Sequence, residues 1–474
     1  MHSRRAVLRL PGTCILILIV ALGVGCKTVS GPDYKTPSAP TKDEWLSGVD
    51  AANARSAKAA IEPAWWRGFN DRYLNKLIDQ ALKGDFNLRI LTLRLEQAQI
   101  GVEAEQNTRL PTIKTTTGAN FQKEGGNDVT KSYGFTTGLN WELDIWGKAK
   151  KGVNAKQADY HASEAEWRAA YLTLVSSVAS RYFEILQFDD QLRNQKHTLD
   201  YNEKLLRIYT AQYKEGLVAE SRLLSQKAEI NTLKKDQLEL QRQRRVAEFG
   251  LATLTGVPAG TIDVPPGSLT ENLTVPEVPQ GLPSDLLARR PDILAKEYRV
   301  LSAHELLGQA RLAQLPTISL SGSAGSASTV LSQLLKTWTL GIAPSISIPI
   351  FDPSIKTNIK SKSVDVKVAE EEYRSTVVKA YEEVETALLN LSFRKQQKKE
   401  LEQQIKYLRV VRNVQNAQLK EGLVSQLEVF ETDRSLLAAQ QGMLTTQQQI
   451  LADTVTLYKA LGGGWPAEKV SQIR

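Results

Sequence analysis

The stretch Tyr133-Gly134-Phe135-Thr136-Thr137-Gly138-Leu139-Asn140-Trp141-Glu142-Leu143-Asp144-Ile145 alternates between two kinds of side chain. Tyr133, Phe135, Leu139, Trp141, Leu143 and Ile145 are large and apolar, and the residues between them are glycine or polar. Side chains of an extended chain point to opposite faces in turn, so this pattern reads as a β-strand with one apolar face. A tilted strand of about ten residues crosses a bilayer. Alternation alone also fits a soluble sandwich with half-buried strands, and the rest of the chain decides between the two.

The stretch has a second copy. Trp338, Leu340, Ile342, Ile346, Ile348 and Ile350 alternate with Thr339, Gly341, Ala343, Ser345 and Ser347. Leu110-Pro111-Thr112-Ile113 returns as Leu315-Pro316-Thr317-Ile318, and Trp146 returns as Phe351, both 205 positions on. Lys214-Glu215-Gly216-Leu217-Val218 returns as Lys420-Glu421-Gly422-Leu423-Val424, 206 positions on. A nearly constant displacement of that size marks a duplicated unit, too long for a solenoid period. Because 205 is odd, the apolar positions switch from odd to even numbers while keeping one outward face.

Each alternating strand follows another, near 112–121 and 317–327, across a loop. The chain therefore holds two hairpins, near 112–146 and 317–351. Four strands cannot close a membrane barrel, and open edges in lipid leave backbone donors and acceptors unpaired. The chain is expected to oligomerise.

Between 148 and 212 there is almost no Pro or Gly, and Tyr171, Val175, Val178, Tyr182, Ile185, Leu192, Leu199, Leu206 and Tyr213 fall at spacings of three, four and seven. That is a coiled-coil seam. Its mirror covers about 355–418, and helices return over about 220–254 and 426–461. Asp189, Lys196 and Glu203 interrupt the seam, which is either a weakened coiled coil or a face that lines water.

Arg4, Arg5 and Arg9 precede an apolar run from Cys14 to Val24, too short for a permanent bilayer helix. This layout is a secretory signal over 1–25. Leu22-Gly23-Val24-Gly25-Cys26 resembles a lipobox, so Cys26 is expected to carry a covalent lipid, and Lys27 after it favours the outer membrane. Cys14 leaves with the signal, so no disulfide or cysteine metal site is expected. The chain is then divided into a lipidated extension over 26–64, repeat 1 over 65–256, a connector over 257–284, repeat 2 over 285–464 and a tail over 465–474. The connector carries Pro258, Pro265, Pro266, Pro276, Pro279 and Pro283 and reads as extended chain.

Enzyme chemistry finds no footing. His2, His161, His197 and His304 are isolated, no nucleotide loop or nucleophile elbow occurs, and Gly462-Gly463-Gly464 reads as a helix stop. No metal or other cofactor is expected. The formal charge of +8 is interleaved with acids, as from Lys395 to Glu402, so solvated helix faces rather than nucleic acid account for it.

Several strings resemble the TolC-like outer-membrane factors, in the lipoprotein branch related to OprM and NodT. They are Gly31-Pro32-Asp33-Tyr34 with Pro37; Trp65-Trp66 with Phe69 and Asp71; Val278-Pro279 before Gly281-Leu282-Pro283-Ser284-Asp285-Leu286-Leu287; and Arg289-Arg290-Pro291-Asp292-Ile293, whose first-copy counterpart includes Phe86, Asn87 and Leu88. The resemblance implies an α+β membrane protein built from two internal repeats. In a homotrimer, three protomers each give four strands to one transmembrane β-barrel in outer-membrane lipid, and their helices to a long α-helical barrel. It implies a passive exit duct for efflux or secretion, fed by a periplasmic adaptor (membrane fusion) protein and an inner-membrane transporter of the RND type.

The same resemblance makes Gly216, Leu217, Val218, Gly422, Leu423 and Val424 the periplasmic tips that meet the adaptor. It makes Glu428 and Glu431 the carboxylates that ring the pore constriction. Ala219, Ser221 and Arg222 depart from the family pattern, and a tip salt bridge through Arg222 is one expectation. The alternative function is a coiled-coil lipoprotein that tethers envelope layers, for which the apolar strand faces have no use.

Overall fold

The computed structural model describes residues 62–126, 128–271 and 289–465, with 29, 31, 33–42, 45–46, 273–276 and 278. The signal segment, Cys26, and the strings at Gly281 to Leu287 lie outside the described residues. The helices are α1 (Arg72–Gly84), α2 (Phe86–Asn107), α3 (Lys148–Lys214), α4 (Glu220–Leu254), α5 (Pro291–Leu312), α6 (Pro353–Lys420) and α7 (Gln426–Ala460). The strands are β1 (Thr112–Gln122), β2 (Thr130–Leu143), β3 (Thr317–Ser328) and β4 (Thr339–Ser347). Helices α3 and α6 run for 67 and 68 residues, about 100 Å each at 1.5 Å per residue. Among the described residues no helix is long and apolar enough to cross a membrane.

The chain divides into two compact units that cut across the repeats. One takes 1–39, 93–164 and 295–375, and so contains all four strands; the other takes 40–92, 165–294 and 376–474. Each unit thus joins matching pieces of the two copies. A lone two-stranded hairpin is marginal, and the hairpins gain stability by pairing with each other.

In the strand unit the sheet is antiparallel in the order β1-β2-β3-β4. Its register sorts the side chains onto two faces. Ile113, Leu139, Gly322 and Ile342 form one cross-strand row, and the next row is Lys114, Gly138, Ser323 and Gly341. All the alternating apolar residues of β2 and β4 therefore share a face with Ile318 and Leu320. The opposite face is built mainly of Thr, Ser, Gly and Asn, with Gln122, Ala327 and Ala343 among them and Lys114 and Glu142 as its charges.

Four residues expected in strands fall just outside them: Ile145, Trp338, Ile348 and Ile350. Pro349 has no N–H for the ladder, so β4 ends before it. Strand β2 ends where Asp144 turns to cap α3, accepting from the Ala149 and Lys150 N–H groups at 2.9 and 2.8 Å. Ile145, Trp338, Ile348 and Ile350 remain exposed large apolar side chains. The tryptophans fasten the helix end of the sheet: Trp141 Nε1 donates to the Arg109 carbonyl at 2.9 Å and Trp146 Nε1 to the Pro316 carbonyl at 2.6 Å.

In the other unit, a short 3-10 turn at Trp65–Phe69 buries Trp65, Trp66 and Phe69. Trp65 stacks on Tyr458 at 4.7 Å, and Phe69 meets Phe183 at 5.0 Å. Asp71 caps α1 through the Tyr73 and Leu74 N–H groups and also accepts from Tyr182 Oη at 2.9 Å. Within the α3 seam, Tyr171, Val175, Val178, Tyr182, Ile185 and Leu199 are buried, Leu192 and Leu206 half-buried, and Tyr213 exposed. Toward the turn the buried line shifts to Phe188, Gln195, Asn202 and Tyr209, also seven apart. Gln195 Nε2 donates to the Leu233 carbonyl, and Gln226 Nε2 to both oxygens of Asn202. Polar pairs thus take over where the apolar seam fades.

Of the three polar residues that interrupt the seam, Asp189 does not line water. It is buried, and Arg244 Nε donates to it at 2.6 Å while also pairing with Glu248. Lys196 is exposed, and Glu203 pairs with Lys234. The described residues between 257 and 278 contain no helix or strand. They are nonetheless pinned: Gly267 N–H donates to Asp189, Val264 N–H to Glu248 and Leu269 N–H to Asp190, while Arg244 Nη2 donates to the Val264 carbonyl at 2.7 Å.

Candidate functional site: helix tips and a two-faced sheet

Helices α3 and α6 end in the same way. Gly216 and Gly422 adopt left-handed backbone, φ 69° and 73°. Gly216 N–H donates to the Tyr213 carbonyl and Leu217 N–H to that of Gln212; Gly422 donates to Leu419 and Leu423 to Gln418. This double bond pattern is the Schellman motif, and it satisfies carbonyls that a helix end would leave unpaired. Nothing lies within 4 Å of where a Cβ would stand on either glycine. Backbone conformation, not crowding, selects glycine there. Leu217 and Leu423, each 73% exposed, project at the two turns, with Val218 and Val424 half-buried beside them.

The returns differ. Helix α7 begins with a capping box: Ser425 Oγ accepts from Glu428 N–H, and the Glu428 carboxylate accepts from Ser425 N–H at 3.1 Å. The Ser425 N–H, together with Ser425 Oγ at 2.9 Å from the same oxygen, holds the Glu428 carboxyl below its ordinary range. Helix α4 follows Ala219 as its N-cap, which makes no side-chain bond to the helix end. Glu431 is exposed, one turn from Arg434. Arg434 is itself paired with Glu229 of α4.

Among the described residues Arg222 meets an aromatic ring and an amide in place of a carboxylate. Its guanidinium lies over the Tyr209 ring at 4.7 Å, and Nη2 donates to Gln426 Oε1 at 3.1 Å. Tyr209 Oη donates to the same Gln426 oxygen. A second knot joins Arg412 to Asp433 at 2.7 Å, with Arg412 over the Tyr201 ring at 4.6 Å and Tyr201 Oη donating to Asn416. Burial raises the Asp433 carboxyl, and Arg412 opposes that rise. The three ties, Tyr209 and Arg222 to Gln426, Arg412 to Asp433 and Arg434 to Glu229, hold helices near the turns together. The first and third cross from one repeat to the other.

The sequence pattern of the family described as outer membrane efflux protein matches residues 77–257 and 282–463. The chain belongs to that outer membrane efflux protein family. The two matched stretches are the two copies of the duplicated unit. Among its relatives, the probable efflux pump outer membrane protein TtgC of Pseudomonas putida is 29% identical over 464 residues, covering 93% of each chain. The probable outer membrane lipoprotein SilC of Salmonella typhimurium is 29% identical over 460 residues, covering 93% of this chain and 96% of its own. A crystal structure of CusC, from work on folding and transmembrane channel formation, superposes with a TM-score of 0.83 at 26% identity, covering 91% of this chain and 99% of that one.

As a family member the chain is an outer-membrane efflux channel of the TolC-like class that extends into the periplasm, with a helical barrel region and a β domain. The family's role is transport, not catalysis. Among the described residues no cluster of side chains is suited to hold a metal ion. The resemblance marks Glu428 only as a pore carboxylate; the Ser425-x-x-Glu428 spacing is the signal that could have revealed its capping role. The ties through Gln426, Arg412, Asp433, Glu229 and Arg434 carried no such local signal.

Proposed function

We propose that three copies of this chain complete one transmembrane barrel, with the apolar sheet face in lipid and the face of Thr, Ser, Gly and Asn in the lumen. The observation that carries this reading is the register. It puts every alternating apolar residue of β2 and β4 on one side, while β1 and β4 remain open edges. Lipid does not tolerate open edges, so closure by other copies follows.

In this reading the exposed turns at Gly216, Leu217, Val218, Gly422, Leu423 and Val424 receive a periplasmic adaptor, which couples the duct to an RND-type inner-membrane transporter. Cys26 carries a lipid that joins the N-terminal extension to the outer membrane. Glu428 and Glu431 gather around the symmetry axis and draw cations, because repeated like charges focus the field in a narrow pore. Relatives exporting different cargoes, such as the pyoverdine export protein OpmQ of Pseudomonas putida, support a duct whose cargo is chosen by its partners.

Planar-bilayer recordings test the pore reading. Under a salt gradient the channel is expected to favour cations, and Glu428→Gln with Glu431→Gln is expected to move the reversal potential toward zero. An unchanged reversal potential would remove the two glutamates from the constriction.

A further inference from the structure

The segment between β3 and β4, Thr329-Val330-Leu331-Ser332-Gln333-Leu334-Leu335-Lys336-Thr337-Trp338, is an apolar loop. Val330, Leu331, Leu335 and Trp338 are all exposed, and Lys336 is its one charge. The other loop at this end of the sheet is polar apart from Val129, with Lys123, Glu124, Gly125, Gly126 and Asp128. The apolar loop is ordered by its own bonds: Val330 N–H donates to Ser328 Oγ at 3.1 Å, and a short 3-10 turn covers Leu331–Gln333.

Two contacts decide which side of the sheet this loop lies on. Ser326 pairs across the ladder with Phe135, so its side chain shares the apolar face. Ser326 Oγ, almost fully buried, donates to the Leu334 carbonyl. Trp338 meets the Phe135 ring edge-on at 5.4 Å, and its Nε1 donates to the Leu335 carbonyl at 3.0 Å. The loop is therefore laid against the apolar face, not across the hydroxyl-lined one.

We propose that this loop is a membrane-surface anchor, whose Val330, Leu331 and Leu335 enter the acyl-chain boundary of the outer leaflet. The inference rests on the reading that the apolar sheet face meets lipid. The occupant follows from continuity: the loop lies over that face level with Ser326 and Phe135, next to Leu340 and Ile342 and the rings of Phe121, Tyr133 and Phe135. Phe121 and Tyr133 meet edge-on at 5.9 Å at the same end. Aromatic rings mark the headgroup level of membrane barrels, and apolar side chains next to them enter the acyl boundary. Lys336 fits the adjoining lipid phosphates as a flexible cation.

The test uses the full-length protein in phosphatidylcholine vesicles containing 5-doxyl phosphatidylcholine. Leu331→Cys, Leu335→Cys, Ile342→Cys and Glu124→Cys are each labelled with a small thiol-reactive fluorophore, with the parent chain treated alike as blank. Probes at 331 and 335 are expected to lose most of their emission to the doxyl lipid. Their quenching by aqueous iodide is expected to be several-fold weaker than at 124. Strong iodide quenching at 331 and 335, with lipid quenching kept at 342, overturns the anchor and favours a loop over the pore mouth or against another copy. Loss of lipid quenching at 342 overturns the membrane reading of the sheet, and the anchor with it.

Discussion

Gly216 and Gly422 close their helices with the same left-handed backbone, and each passes the following leucine's N–H back to a glutamine carbonyl, Gln212 or Gln418. Two turns with one geometry but different return helices make the tips a natural experiment. Gly422→Ala meets no steric neighbour, so its cost is conformational, about 1–2 kcal/mol. Gly422→Pro cannot adopt that φ and also loses the N–H to Leu419. Export is expected to survive the alanine change and fail with proline while the native mass is unchanged, measured by export of the cargo of the co-purifying transporter and by mass in mild detergent.

Ser425→Ala removes the cap that Ala219 already lacks at the other turn. The expected loss is about 1 kcal/mol. The Glu428 carboxyl, held low first by the Ser425 N–H and then by Ser425 Oγ, is expected to move part of the way toward the ordinary glutamate range, because the alanine keeps its N–H. Carbon-13 titration of a Glu-labelled sample measures this, and an unmoved titration would show that the capping box does not form.

Arg244→Ala leaves Asp189 and Glu248 buried without their shared cation, and it frees the Val264 carbonyl. Removing one partner of a buried ion cluster costs about 3–5 kcal/mol. The connector is expected to detach first, so limited proteolysis within 257–278 should accelerate in the variant at temperatures where the wild type resists. Arg242→Ala, at an exposed pair with Glu239, is the matched control and should change little.

Burial raises the Asp292 carboxyl, but the bonds and charge of Arg290 outweigh it and the net direction is downward. The folded state therefore holds this proton more weakly than the unfolded chain. The stabilisation is fully present above the unfolded value of 3.8 and is lost as pH falls through the lower folded value. Thermal midpoints of wild type are expected to drop below about pH 4 more steeply than those of Asp292→Asn. Parallel curves would assign the acid limb to other carboxylates.

The parts of the fold with a regular period were readable from the chain. Alternation from Tyr133 to Leu143 located β2, and the odd displacement anticipated the shared face that the register displays. Boundaries failed where a local bond intervened, at Asp144 and Pro349. The tip ties were not readable because their partners are far apart: Arg434 meets Glu229 and Arg222 meets Gln426 more than 200 positions away. Asp189, with Lys196 and Glu203, left the seam open between a weakened coiled coil and a wet face, and the position of Arg244 explains why Asp189 is buried. The lay of the 329–338 loop against the apolar face depends on the Ser326 hydroxyl and the Trp338–Phe135 contact, and has no periodic trace.

The most direct test of the shared barrel is the native mass of the protein extracted from outer membranes in mild detergent, corrected for bound detergent. Three chains per particle are expected, since each brings four strands and two open edges. A single folded chain per particle would contradict the shared barrel and return the tethering lipoprotein as the better account.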